Sequence, residues 1–203
     1  MMRSSVTFIF SALLITGCSA PLTPAMSEYT ILPSVHPTQT KKMLPYTLTL
    51  SVASSKALPS LSSKNLYYLR EGGESGAYLY SRWSDTPSLL IQNALISSLQ
   101  EKALFTSLLP ATSSAHADWV LESDLSAFYH RLSKKSNSEG FIDITYRLIN
   151  VSTKLPIASK RFIVTVPAAT NDAKGGVDAL AQGTQELCEQ VTTWITTLEK
   201  EKQ

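Results

Sequence analysis

The sequence predicts an α+β fold, an antiparallel β-sheet with two helices packed on one face. Three observations predict it. Three long segments follow one another between residues 117 and 166, each alternating apolar with polar residues. That is the mark of antiparallel strands with one wet face. A stretch with helix grammar stands before them at residues 84–105, after shorter strand candidates. The chain then closes on residues whose apolar side chains recur at helical spacing. The order of strands, helix, strands and helix suits one layer of each kind around a shared core.

Residues 1–17 read as a targeting segment. Arg3 supplies a positive start and "VTFIFSALLI", residues 6–15, an apolar run. That run is shorter than the roughly 20 residues of a membrane span. The sequence Ile15-Thr16-Gly17-Cys18 resembles the bacterial lipobox, in which the cysteine sulfur takes a diacylglycerol and becomes the new N-terminus. The alternative is an ordinary secretory signal that contains a cysteine. A single acyl chain anchors only marginally and two or more anchor stably. The lipobox resemblance also implies sorting. Ser19 stands where an aspartate commonly retains such proteins at the inner membrane, so it points to the inner leaflet of an outer membrane, facing the periplasm. Residues 18–28 form a lipid-anchored tether, and residues 29–203 a single periplasmic domain.

Elements follow in order. Residues 29–32 are a short strand candidate, and residues 33–45, with three prolines, a loop. Residues 46–52 alternate as a half-buried strand, with Tyr46, Leu48, Leu50 and Val52 on one face. Residues 65–70 and 77–83 are two strands around the turn "EGGESG", hence a hairpin. Those glycines lack phosphate-loop spacing and lead into a strand. In residues 84–105, Asp85 or Thr86 can cap a helix with Pro87 in its first turn. Leu90, Ala94, Leu95 and Leu99 give it an apolar stripe, and a turn is expected near "LLPATSSAH".

The three long strands span residues 117–131, 141–151 and 157–166. In the first, Trp119, Leu121, Leu125, Ala127 and Tyr129 are expected inside, with Glu122, Asp124 and His130 outside. The second alternates Ile142, Ile144, Tyr146 and Leu148 with polar residues, and the third Phe162, Val164 and Val166. The last helix places Val177, Leu180, Thr184, Leu187, Cys188, Val191, Trp194, Ile195 and Leu198 on one face.

Chemical equipment is sparse. The chain has 18 Lys and Arg against 16 Asp and Glu, a formal charge of +2. No clustered basic face marks a nucleic-acid binder. Of two cysteines, Cys18 is the lipidation candidate and Cys188 either is buried or bridges two chains; its place on the packing stripe favours burial. His36, His116 and His130 show no metal-ligand spacing, and no cofactor motif stands in the chain. Glu122 and Asp124 share a strand face, the arrangement of an acid–base pair but also of any solvated strand. The sequence therefore reads as a non-enzyme. The loop at residues 130–140 is basic, with Arg131, Lys134 and Lys135. It reads as a solvated hairpin tip or as a contact for anionic lipid or an acidic partner. Trp83 reads as core at a strand–helix corner or as an interface anchor.

One ordered set of motifs carries a family resemblance. It comprises Cys18, "EYTIL" at residues 28–32, and Tyr80, Trp83, Pro87, Leu89, Leu90, Leu95 and Leu99. "ADWVLESDLSAF" at residues 117–128 and the closing helix complete it. The set resembles the ABC-type transport auxiliary lipoproteins, which include the paraquat-inducible protein C-like lipoproteins. This sequence has "WSDTP" where that family more often has a second proline. The resemblance implies a docking role without catalysis, beside a mammalian-cell-entry (MCE) domain protein and, indirectly, an ABC permease and ATPase that move lipids or other hydrophobic molecules between two membranes. It also implies a homo-oligomer as one arrangement. A lipid carrier or a lipopolysaccharide-assembly lipoprotein is the alternative.

Overall fold

The computed structural model describes residues 24–32, 46–133 and 137–200. The leader, Cys18, the loop expected at residues 33–45, Lys134 and Lys135 lie outside the described residues. Strands β1 (Ser27–Tyr29), β2 (Tyr46–Val52), β3 (Lys56–Ala57), β4 (Asn65–Arg70) and β5 (Ser75–Trp83) precede helix α1 (Pro87–Lys102). Then come β6 (Phe105–Pro110), β7 (Trp119–Leu132), β8 (Ser138–Asn150), β9 (Pro156–Pro167) and helix α2 (Ala173–Lys200).

The expected antiparallel sheet is instead a mixed one. The β4–β5 hairpin and the β7–β8–β9 meander are antiparallel as expected. All other pairings are parallel: β1 with β5, β2 with β6, and β2, β3 and β4 each with β7. The physical reason is the length of β7. One of its edges is filled by β8 along its whole length. The other is shared in turn by β2 at Trp119–Leu121, β3 at Asp124–Leu125 and β4 at His130–Leu132. Each of these returns to β7 in the same direction through the intervening chain.

Two further expectations are corrected. The helix expected to reach residue 105 ends at Lys102, because Ala103 adopts a left-handed backbone with φ of 48°. Phe105 instead opens strand β6, with the expected turn following at residues 111–112, and its ring stacks on Tyr46 of β2 at 4.9 Å. Within β7 the alternation breaks. A bulge between Leu125 and Ala127 sets two residues against one on β8, which exchanges the faces beyond it. Phe128 and His130 therefore point inward, 1 % and 0 % exposed. Tyr129, expected inside, stacks on Phe141 at 5.5 Å on the other face.

Helix α2 lies against β7, β8 and β9, and α1 against α2 and β6. The predicted α2 face is buried from Val177 to Ile195, with Leu198 half-buried. Each large apolar side chain removed from water here contributes about 1.5–3 kcal/mol. Trp194 meets Phe162 of β9 edge-on at 5.7 Å. Two buried polar contacts fix the helices in register: Tyr46 Oη donates to the Ile195 carbonyl at 2.9 Å, and Gln92 Nε2 to the Val52 carbonyl at 2.7 Å. Cys188 is a buried free thiol, and burial pushes its pKa up to about 12. That leaves it inert as a nucleophile.

Candidate functional site

The sheet directs several segments to one end. Because β4 runs parallel to β7, with Tyr68 paired to His130 and Arg70 to Leu132, the β4–β5 turn arrives beside the β7–β8 connection. The turn needs its glycines: Gly72 and Gly73 have φ of 106° and 90°. The Glu71 amide donates to the Leu132 carbonyl at 2.9 Å and closes the two loops on each other. Because β1 runs parallel to β5, the chain entering β1 comes from this end too.

Between the two loops lies a cleft of about 400 Å³, lined by residues 69–73, 131–133 and 137–139. Its charged groups are engaged. Arg131 is ion-paired to Glu139 across the β7–β8 ladder, and its guanidinium lies 4.3 Å from the centre of the Phe141 ring. Arg70 sits 3.7 Å from Glu74 and over Tyr68. Arg131, singled out by charge alone, thus lines the cleft. Its companions Arg70 and Glu71 carried no signal, because only the parallel β4–β7 register brings them there.

Behind the cleft stands an unforeseen buried cluster. His130 Nδ1 is 2.8 Å from Tyr78 Oη. Among the described residues its Nε2 has no hydrogen-bond partner. With the proton on Nδ1, donated to Tyr78, the buried Nε2 keeps only a lone pair, which spares an orphaned N–H. Burial lowers the His130 pKa, opposed by the Asp172 carboxylate. Burial likewise pushes the Tyr78 phenol up to about 12, with Asp172 adding to the rise. Asp172 caps α2 by accepting from the Gly175 amide at 2.9 Å, and this bond chiefly holds its carboxyl below the usual range.

The other candidates separate. Trp83 is fully buried against Phe128, with ring centres 5.6 Å apart, so its side chain belongs to the core of the chain. Asp124 is ion-paired to Arg147 of β8 and does not form a free couple with Glu122. His116 is exposed ahead of β7. Among the described residues no group of three His, Cys, Asp or Glu side chains is placed to hold a metal ion. Also among them, no helix is long and apolar enough to cross a membrane.

Comparison with known proteins follows the fold. Protein XCC0632 from Xanthomonas campestris superposes with a TM-score of 0.76 at 16% identity, covering 87% of this chain and 98% of that one. An uncharacterized protein of known structure superposes with a TM-score of 0.65 at 14% identity, covering 85% and 99%. At such identities the likeness shows a shared fold. No curated protein matches the chain. The sequence pattern of one family, the ABC-type transport auxiliary lipoprotein component, matches residues 29–192. That span runs from β1 almost to the end of α2, and the chain belongs to this family of ABC-type transport auxiliary lipoproteins.

Proposed function

We propose that the chain is an outer-membrane lipoprotein, anchored through acylated Cys18 with its body in the periplasm. It serves as the docking component of an ABC transporter–MCE protein system that moves lipids or other hydrophobic molecules across the cell envelope. It performs no chemistry itself. The observation that carries this reading is the family match over residues 29–192. Ser19 after the lipobox cysteine supports the outer membrane. A passive role is supported by how the polar groups are used. Asp124, Glu139 and Asp143 are each ion-paired to an arginine on a neighbouring strand, or on their own hairpin.

The test is crosslinking in cells with the intact lipoprotein, followed by identification of the bound proteins. Anchoring confines both partners to one envelope layer and raises their effective concentration. Recovery of an MCE-domain protein is expected. Recovery of an outer-membrane β-barrel alone, or of lipid without a protein partner, would replace this reading with the assembly-factor or carrier alternative.

A further inference from the structure

We propose that a bulge in β5, together with the residue that precedes β1, is the surface on which the protein body rests against the lipid leaflet. The inference rests on the lipid-anchored reading above. Its first ground is the strand register. Asn65 pairs with Arg82, but Tyr67 pairs with Ala77, so residues 78–81 of β5 stand opposite Leu66 alone. The extra residues are pushed out of the ladder. Two of them turn large side chains outward: Leu79 is 72% exposed and Tyr80 40%, whereas Tyr78 turns in toward His130. Met26, 52% exposed, lies one position before the Ser27–Ser81 pair, level with Tyr80 on the adjoining strand. Three large apolar side chains are thus brought to one edge of the sheet.

The second ground is where the chain comes from. Cys18 is eight residues before Met26. At about 3.5 Å per residue the tether reaches no further than about 28 Å. It enters β1 at Met26, so the acyl anchor pulls directly on this edge. The order of side chains also fits a membrane interface. Met26 and Tyr80 come first from the anchor, and the Glu28–Arg82 ion pair at 2.8 Å comes two residues further on along both strands. Apolar groups and a tyrosine ring suit the acyl–headgroup boundary, and a paired charge suits its wet side. Two other exposed apolar residues, Leu155 and Ile163, stand apart from this edge. Leu155 lies in the β8–β9 turn, next to the Trp119 end of β7, and Ile163 on β9.

The experiment uses the intact acylated protein with Leu79→Cys, labelled with a nitrobenzoxadiazole fluorophore. It is reconstituted in phosphatidylethanolamine–phosphatidylglycerol vesicles with or without doxyl-labelled lipid. The Cys18 sulfur is taken up as a thioether and Cys188 is buried, so the label goes to position 79. Tyr80→Cys provides a second position on the patch and Leu155→Cys a control at the opposite end. Labels at 79 and 80 are expected to lose fluorescence to the doxyl lipid while the label at 155 keeps it. Equal quenching at all three positions, or quenching at 155 alone, overturns the proposal. So does an unquenched label at 79 that crosslinks to a protein in cells, which would assign the patch to a protein partner. Flotation separates the two layers of the argument. A protein that fails to float with the vesicles overturns the anchor itself, whereas a floating protein with unquenched patch labels overturns only the docking surface.

Discussion

His130 couples the sheet to the start of α2. Its ring is wholly buried, bonded to Tyr78 on β5 and covered by Gly176 of α2. The groups facing it are the phenol of Tyr78, the Tyr68 ring packed on Tyr78 at 5.2 Å, and the Asp172 carboxylate that caps α2. Desolvation outweighs the attraction of Asp172, so the folded pKa lies below the ordinary 6.5. The unfolded chain then binds the proton more readily than the folded one. Stability is therefore complete above pH 6.5 and falls as the pH drops through 6.5 toward the depressed folded value. Asp172 does not confuse this window, since its own carboxyl titrates below 3.8. Urea midpoints measured on either side of pH 6.5 should fall on the acid side for the natural protein. In His130→Gln, which keeps a polar partner for Tyr78 without titrating, that part of the slope should vanish. An unchanged slope would show that another group is responsible.

At the scale of elements, α2 approaches the sheet more closely than ordinary side chains permit. A Cβ on Gly176 would stand 2.7 Å from the His130 ring, and one on Gly140 would stand 2.7 Å from the backbone of Ala179. Helix propensity alone favours alanine over glycine by about 1 kcal/mol. Overpacking against a ring held by a hydrogen bond costs about 1–3 kcal/mol. Gly176→Ala should therefore lower the denaturation midpoint, and a raised midpoint would mean the helix slides to make room. The α2 face was legible in the sequence because helical periodicity is a local pattern, as were the β4–β5 hairpin and the inward residues of β8 and β9. Other features were not local. Ala103 is a strong helix former, yet it turns left-handed so that Phe105 can reach Tyr46, some 60 residues back in the chain. Nothing around Ser126 announced the bulge that turns His130 inward. Alternation revealed the inward face of β2 but not the direction of its partner, and residues 65–70 read as a strand without revealing that β4 runs parallel to β7. The cleft was visible through Arg131 alone, for the same reason.

At the scale of the whole molecule, the anchor proposed at Cys18 lies outside the sheet. Cys18→Ser should leave the fold unchanged and release the protein from the membrane fraction. Retention through a carbonate wash would refute the anchor. The body has its own dependence on chain order. β2, β3 and β4 all pair with β7, and the contact between Thr49 and Asp118 spans 69 residues. Loops of that length close slowly, and until β7 exists these strands have no common neighbour. A fragment ending at residue 118 should accordingly show no cooperative unfolding transition by circular dichroism; a sharp transition would mean the early strands fold alone. Most of the chain must thus be synthesised before its sheet can close. For a protein exported through the leader proposed at residues 1–17, this delay would be useful. The nascent polypeptide would stay slack enough to thread through a translocation pore and set into its final shape on the far side.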